Sequence, residues 1–183
     1  MMTDLQQELA RVLLSEEEIQ TRIKEMAAQI ATDYAGVERI YMVGILKGAF
    51  IFMADLARYL RTNHVVDFIA VSSYGRKGVE SGEVRLLMDL REPITDEHVL
   101  IVEDIVDSGK TIQYLNETFS GRQPASLKTV AFVQKEREHI PVSVDYLGFT
   151  IPDVWVVGYG LDYAERFRTL PYVAELKKEV YTK

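Results

Sequence analysis

A chain of 183 residues with 48% hydrophobic content can bury one sizeable core and is too short for two ordinary domains, so we expect a single domain over residues 1–183. The formal net charge of -7 disfavours nonspecific nucleic-acid binding, which depends on lysine and arginine facing phosphates. The lack of cysteine excludes disulfides and thiolate metal sites, and no window approaches a membrane span, so we expect a soluble, cytoplasmic protein.

The first half of the chain alternates between helical and extended patterns. The segment SEEEIQTRIKEMAAQIATDYAG places Ser15 three residues before Glu18, a capping box, and then repeats apolar residues on one helical face. A buried strand is predicted over RIYMVGIL, a helix over GAFIFMADLARYL and a second strand over VVDFIAVSS. The segment from Ser73 to Glu83 has three glycines and no periodicity. It predicts a mobile loop or a hairpin end, with EVRLLMDL returning from it as a strand.

The second half of the chain continues the alternation. The segment HVLIVEDIVDSGKTIQ, from His98 to Gln113, joins an apolar strand to a helix predicted over KTIQYLNETF. Further strands are predicted over LKTVAFVQ, VDYLGFT and VWVVGYG. Repeated strand–helix–strand units predict an α/β fold with a mainly parallel central sheet flanked by helices.

Three carboxylates and a small, hydroxyl-rich turn follow the strand at the centre of the chain. The carboxylates are Glu103, Asp104 and Asp107, and the turn runs from Ser108 to Thr111. Ligands of parallel sheets bind at the carboxyl ends of strands, and backbone amides at a helix N-terminus favour a bound phosphate. The simpler explanation is that Asp107 or Ser108 caps the helix, and on this segment alone both explanations stay open.

The turn differs from two familiar motifs. A nucleotide-binding P-loop needs glycine where this chain has Asp104, and an EF-hand needs oxygen ligands at Val106 and Leu115. A ligand whose phosphate is attached to a sugar suits both halves of the segment. Carboxylates can accept hydrogen bonds from ribose hydroxyls or hold magnesium, while the neutral turn binds the phosphate.

The segment VLIVEDIVDSGKT, Val99 to Thr111, resembles the phosphoribosyl-pyrophosphate (PRPP) signature of the type I phosphoribosyltransferases. GILKGAF, SSYGRKGVESGEVRLLMDL, VQKE and VWVVGYGLDYAERFRTLPYV stand in the order seen in the hypoxanthine-guanine phosphoribosyltransferases. The resemblance covers about Tyr41 to Tyr181. It implies the fold of that family, with a small hood subdomain and a flexible loop that carries Ser73 and Tyr74 as a lid over the site.

The resemblance also implies roles for individual residues. The residues expected to bind PRPP are Glu103 and Asp104 at the ribose hydroxyls and Asp107, Ser108, Gly109, Lys110 and Thr111 around the 5-phosphate. Those expected to face pyrophosphate are Leu46, Lys47, Gly48 and Arg168, with a Leu46–Lys47 peptide that can be cis. Those expected at the purine are Lys135, Trp155, Val156 and Asp162. Asp107 is also the expected catalytic residue, near N7 of the base, and Mg²⁺ is the expected cofactor, held by Glu103, Asp104 and Asp162.

Each position also has an ordinary structural explanation. Lys47 can be a solvated lysine before a helix, Arg168 an ion-pair partner and Asp162 a turn aspartate. Lys135 follows a predicted strand and would normally be exposed. Trp155, the lone tryptophan, would normally be a core aromatic.

The function that the resemblance implies is purine salvage. The phosphoribosyl group of PRPP is transferred to N9 of hypoxanthine or guanine, giving IMP or GMP and pyrophosphate. PRPP and a 6-oxopurine are the expected partners, nucleic acid and membrane are not, and a homodimer or homotetramer is expected. The alternatives are an RNA-binding regulator that keeps the PRPP site, because a fold does not settle a function, and a phosphoribosyltransferase for adenine or xanthine.

Overall fold

The computed structural model describes residues 5–74 and 83–182. A 3-10 turn at Gln6–Glu8 precedes the first strand. The strands within these ranges are β1 (Leu9–Leu14), β2 (Ile40–Leu46), β3 (His64–Tyr74), β4 (Glu83–Met88), β5 (His98–Val106), β6 (Ser126–Lys135), β7 (Tyr146–Ile151), β8 (Val156–Val157) and β9 (Val173–Leu176). The α-helices are α1 (Glu16–Asp33), α2 (Phe50–Tyr59), α3 (Lys110–Ser120) and α4 (Lys178–Tyr181).

A six-stranded sheet forms the centre of the molecule, in the order β4-β3-β2-β5-β6-β7. Its strands pair in parallel, except that β4 runs antiparallel to β3 at one edge. The inner strand β5 is buried along most of its length, as expected for a parallel strand covered on both faces. The predicted α/β class, the parallel sheet and the returning strand over EVRLLMDL are all confirmed.

Helices cover both faces of this sheet. The capping box of Ser15 and Glu18 forms at the start of α1. Because successive side chains of a strand point to opposite faces, Leu100 and Val102 pack with α1 and α2, whereas the neighbouring Ile101 packs with α3. Among the described residues, no helix combines the length and the hydropathy needed to cross a membrane.

A second sheet of three strands, in the order β1-β9-β8, makes up the small hood. The predicted strand over VWVVGYG is wrong in its extent, because only Val156–Val157 is a strand and it pairs antiparallel with β9 in this sheet. Gly158 and Gly160 both have φ of +100°, a backbone conformation that ends an extended strand. The hood therefore carries the segment that follows β8 over the end of the central sheet.

The predicted flexible loop begins at the end of β3. Ser73 and Tyr74 are the last residues of that strand, and their backbones pair with Val84 and Glu83 of β4. Residues 75–82 lie outside the described residues, and so does the lid assigned to them. The lid therefore stays a prediction.

Two glycines let chain segments approach the end of β5. A Cβ atom at Gly48, in the turn after β2, would overlap the Asp104 carboxylate. A Cβ atom at Gly160 would overlap the carbonyl oxygen of Gly48. The turn after β2 is therefore packed between β5 and the segment that follows β8.

We expect Gly160→Ala to destabilise the fold more than Gly36→Ala does. Both glycines have left-handed φ values, +100° and +86°, but a Cβ at Gly36 would meet no atom within 4 Å. Gly36→Ala should lower the free energy of unfolding by roughly 1–2 kcal/mol, from backbone strain alone. Gly160→Ala should lower it by roughly 2–5 kcal/mol, because overlap is added to strain. Urea denaturation measures both changes, and equal losses would contradict the close approach to Gly48.

Candidate active site

Two adjacent carboxylates lie at the carboxyl end of β5. Glu103 is buried, and its Oε2 has no hydrogen-bond partner. Burial raises the pKa of the Glu103 carboxyl well above its ordinary value, and repulsion from Asp104 adds to the effect. Burial also raises the pKa of Asp104. A bound cation or hydroxyl donors at this pair would therefore relieve an electrostatic cost.

The hydroxyl-rich turn forms a small cradle at the start of α3. Gly109 is the N-cap residue, with φ of +77°, and no side chain donates to or accepts from the cap. The explanation that Asp107 or Ser108 caps this helix is therefore wrong. A cavity of about 70 Å³ lies at the turn and is lined by Glu103, Ile105, Val106, Asp107, Ser108, Gly109, Lys110, Thr111 and Ile112. Uncapped amides and a positive helix end favour an anion here.

A larger cavity of about 210 Å³ lies beside the cradle. Its lining consists of Asp104, Ile105, Asp107, Lys135, Trp155, Val156, Leu161 and Asp162. Lys135 is the last residue of β6 and its side chain is only 13% exposed, so the expectation of an exposed lysine is wrong. Trp155 is 45% exposed and is therefore not a core aromatic. Tyr181 stacks on it at 5.3 Å between ring centroids, and Tyr163 contacts its ring edge-on at 5.5 Å.

A cluster of four alternating charges includes two of the residues that line this cavity, Asp107 and Lys135. The Lys135 ammonium lies 3.0 Å from Asp153 Oδ1 and 3.5 Å from Asp107 Oδ2. Arg137 Nη2 lies 2.6 Å from Asp107 Oδ1 and 3.1 Å from Asp153 Oδ1. Hydrogen bonds from Lys135 and Arg137 hold the pKa of Asp153 below its ordinary value. The cluster fixes Lys135 toward the cavity.

Sequence reasoning missed Arg137, Asp153 and Tyr181. The only local signal was spacing. Arg137 stands two residues after Lys135, and Asp153 stands two residues before Trp155. In an extended chain a spacing of two places side chains on the same side. Tyr181 had no such signal, because it reaches Trp155 from the end of α4.

A second group of charges connects the turn after β2 with the segment after β8. The Leu46–Lys47 peptide is cis. Lys47 Nζ donates to Glu165 Oε1 at 3.1 Å, and Arg168 Nη2 lies 2.7 Å from Asp162 Oδ1. Arg168 Nη1 also donates to the Gly160 carbonyl at 2.8 Å. Arg168 is thus an ion-pair partner as well as a candidate pyrophosphate-binding residue. Glu165 is a further residue of this group that the sequence did not indicate.

The acid pair suits a magnesium site in which substrate and water supply most of the ligands. It does not suit a site in which every ligand comes from the protein. Among the described residues, no group of three or more Asp, Glu or His is arranged to hold a metal ion. Magnesium commonly takes one or two carboxylates and completes its shell with substrate oxygens and water. Glu103, with its unpartnered Oε2, and Asp104 fit that role. Asp162 is occupied by Arg168 and by the Glu165 amide, 2.9 Å from its Oδ2.

We expect Glu103→Gln to stabilise the ligand-free protein at high pH. A carboxyl whose pKa is raised by folding contributes stability that is fully present below its ordinary pKa of 4.5. That stability is lost as the pH rises through the raised pKa. Glutamine has no such proton to lose. The free energy of unfolding at pH 8 should rise by roughly 1–3 kcal/mol, with the gain shrinking toward pH 4. Urea denaturation at both pH values measures this change, with the exposed Glu138→Gln as control, and no gain at pH 8 would contradict it.

The chain is similar to known proteins over nearly its whole length. The phosphoribosyl transferase domain family matches residues 13–164. The hypoxanthine-guanine phosphoribosyltransferase of Dictyostelium discoideum is 47% identical over 176 residues, which cover 94% of this chain and 98% of that protein. The enzyme of the same name from Bacillus subtilis is 44% identical over 178 residues, which cover 97% and 98%.

A solved structure gives the same relationship at the level of the fold. The crystal structure of a hypoxanthine phosphoribosyltransferase from Staphylococcus aureus superposes with a TM-score of 0.92 at 42% sequence identity, covering 100% of both chains. Both the sequence and the fold are thus similar to those of one group of enzymes over nearly the whole length. This chain belongs to the hypoxanthine-guanine phosphoribosyltransferase family.

Proposed function

We propose that this protein transfers the 5-phosphoribosyl group of PRPP to N9 of hypoxanthine or guanine, giving IMP or GMP and pyrophosphate in purine salvage. The observation that carries the proposal is that Asp107 lines both the larger cavity and the cradle at the start of α3. Two adjoining cavities, one with an aromatic ring and an ammonium and one with helix amides, suit the base and the phosphate of a single nucleotide. The names of the relatives support the same reaction.

The cradle and the acid pair would divide the phosphoribosyl group between them. The turn Asp107, Ser108, Gly109, Lys110 and Thr111 would bind the 5-phosphate through the amides and the positive end of α3. Glu103 and Asp104 would accept hydrogen bonds from the ribose hydroxyls. The unpartnered Oε2 of Glu103 supports this role, because hydroxyl donors would satisfy it.

Lys47 and Arg168 would stabilise the departing pyrophosphate, together with the backbone of Leu46 and Gly48. Negative charge grows on the leaving group as its bond to the sugar breaks, so positive groups placed there lower the barrier. Mg²⁺ would be held by Glu103 and Asp104, with Asp162 as the third candidate ligand, and would supply further positive charge to the pyrophosphate when bound. The unfavourable burial of the ionised Glu103 carboxylate beside Asp104 supports the magnesium proposal, because a cation would offset it.

The larger cavity would take the purine. Trp155 would stack on the ring system with the face that Tyr181 leaves open, and Lys135 would donate to the oxygen at position 6. Val156 and Asp162 would complete the lining. Asp107 would lie near N7 as the proton acceptor or hydrogen-bond acceptor in the transition state, after exchanging its contacts with Lys135 and Arg137 for the base.

The proposal also includes a lid over the site and an oligomeric assembly. Ser73 and Tyr74 would belong to a lid that excludes water from the reacting sugar. A homodimer or homotetramer is supported by exposed apolar side chains at the edge formed by β3 and β4, namely Val65, Val66, Leu87 and Met88. Among the described residues no observation favours the RNA-binding alternative, and the relatives reported above carry the names of enzymes.

We expect hypoxanthine or guanine to be converted and adenine to be rejected. An ammonium has donors and no acceptor, so Lys135 can pair with the oxygen of a 6-oxopurine but not with the amino group of adenine. A site built around one such bond can discriminate by up to roughly 10⁴- to 10⁵-fold. Nucleotide formation from PRPP and Mg²⁺ with hypoxanthine, guanine, xanthine or adenine measures this selectivity. Efficient adenine use would contradict the role of Lys135, and no product with any base would contradict the proposed function.

We expect Lys135→Met to raise the Michaelis constant for hypoxanthine at least about tenfold while changing that for PRPP much less, because a charged hydrogen bond in the base pocket is removed. Lys128→Met is the matched control. Lys128 lies on the same strand and pairs with Asp33 at 3.7 Å, away from the cavity. Steady-state kinetics with each substrate varied in turn separates the two constants. Normal hypoxanthine kinetics in Lys135→Met would contradict the assignment.

A further inference from the structure

Glu165 is a carboxylate that the proposed reaction leaves without a role. It lies between the two cations proposed for pyrophosphate. Its Oε1 accepts the hydrogen bond from Lys47 Nζ at 3.1 Å, and its Oε2 accepts one from Arg168 Nη2 at 3.3 Å. The hydrogen bond from Lys47 holds the pKa of Glu165 below its ordinary value, so the side chain is ionised at neutral pH. Both cations are therefore already paired with a protein anion.

The backbone around Glu165 is a tight turn that would suit glycine better. Tyr163 and Arg166 exchange two backbone hydrogen bonds, at 3.0 and 3.2 Å, across this turn. Ala164 and Glu165 between them have φ of +52° and +62°. Turns with two left-handed residues favour glycine and asparagine at these positions. A glutamate held in a left-handed conformation beside two site cations points to a role for its side chain.

The charges of the four side chains in this group balance one another. Lys47 and Arg168 supply two positive charges, and Asp162 and Glu165 supply two negative charges. An incoming pyrophosphate therefore meets a neutral group rather than a free positive site. Lys47 and Glu165 have side chains that are 67% and 64% exposed, so their contact is exchanged at little cost. Asp162 is less exposed and also accepts the Glu165 amide, so Glu165 is the carboxylate that can leave.

We propose that Glu165 is an internal anion that competes with pyrophosphate for Lys47 and Arg168. The carboxylate leaves these cations when the pyrophosphate group arrives and returns to them when the product departs. It thereby weakens product binding and favours release. Glu165 is a positioning residue in this scheme, since it acts on the two cations and not on the reacting atoms. The inference rests on the proposed function, because it takes pyrophosphate as the ligand.

The test is the affinity for inorganic pyrophosphate, measured by isothermal titration calorimetry at constant Mg²⁺. Glu165→Gln keeps the shape of the side chain and removes its charge. It is expected to bind pyrophosphate about two- to fivefold more tightly than the parent, the upper part of the range for an exposed charge pair. Glu165→Gly, which suits the left-handed backbone, should fold readily and change the affinity in the same direction. The Michaelis constant for hypoxanthine should stay within about twofold of the parent value, because the base pocket is unchanged.

The matched control is Glu25→Gln. Glu25 is exposed on α1, pairs with Arg22 at 3.0 Å, and its substitution makes the same change in net charge. Tighter binding by both Glu165 variants but not by Glu25→Gln supports the competition. Unchanged or weaker binding by the Glu165 variants overturns it, and so does equal tightening in Glu25→Gln. An active parent with unaffected Glu165 variants contradicts only this inference, whereas a parent that forms no nucleotide contradicts the proposed function.

Discussion

The close approach of three chain segments at the carboxyl end of β5 is the constraint on which the site depends. Gly48 lies against the Asp104 carboxylate, and Gly160 lies against the Gly48 carbonyl. β2 and β5 are parallel neighbours, so their carboxyl ends meet at the same edge of the sheet. The third segment arrives from the hood. Because neither glycine carries a Cβ atom, the buried acids of β5 can lie close to the cations of the other two segments.

The charges of the candidate site fall into two kinds. Lys135, Lys47 and Arg168 are each paired with a protein carboxylate. Binding an anion or a base oxygen there is an exchange of partners, so the gain is only the difference between the old contact and the new one. The Oε2 atom of Glu103 has no such partner, and burial works against the ionised forms of both Glu103 and Asp104. Binding of a cation or of hydroxyl donors at Glu103 and Asp104 would therefore be favourable, because it would offset the energetic cost of burying their ionised carboxylates.

The parts of the fold that the sequence predicts well are those with local signals. The capping box of Ser15 and Glu18 and the apolar stripe behind it specify α1, and the apolar run into a small turn specifies β5 and α3. The hood sheet has no comparable signal, because β1 pairs with β9 between Leu9 and Leu176, far apart in the chain. The contact of Lys47 with Glu165 is non-local in the same way. The resemblance to a family predicted candidate site residues, but only the fold shows which charges already have partners.

A buried carboxylate explains how the segment after β8 can be both fixed and open to exchange. Asp55 of α2 is 6% exposed and accepts hydrogen bonds from Tyr159, Gln20 and Arg58. Burial alone would raise its pKa, but these three donors hold the pKa below its ordinary value. The charge is tolerated only while the donors remain, so the segment is tied to α1 and α2 at Tyr159 when the core forms. The turn at Glu165, further along the segment, is exposed to solvent. The segment is thus anchored at Tyr159 and exposed at Glu165. Its backbone is held in place while the Glu165 side chain can change partners.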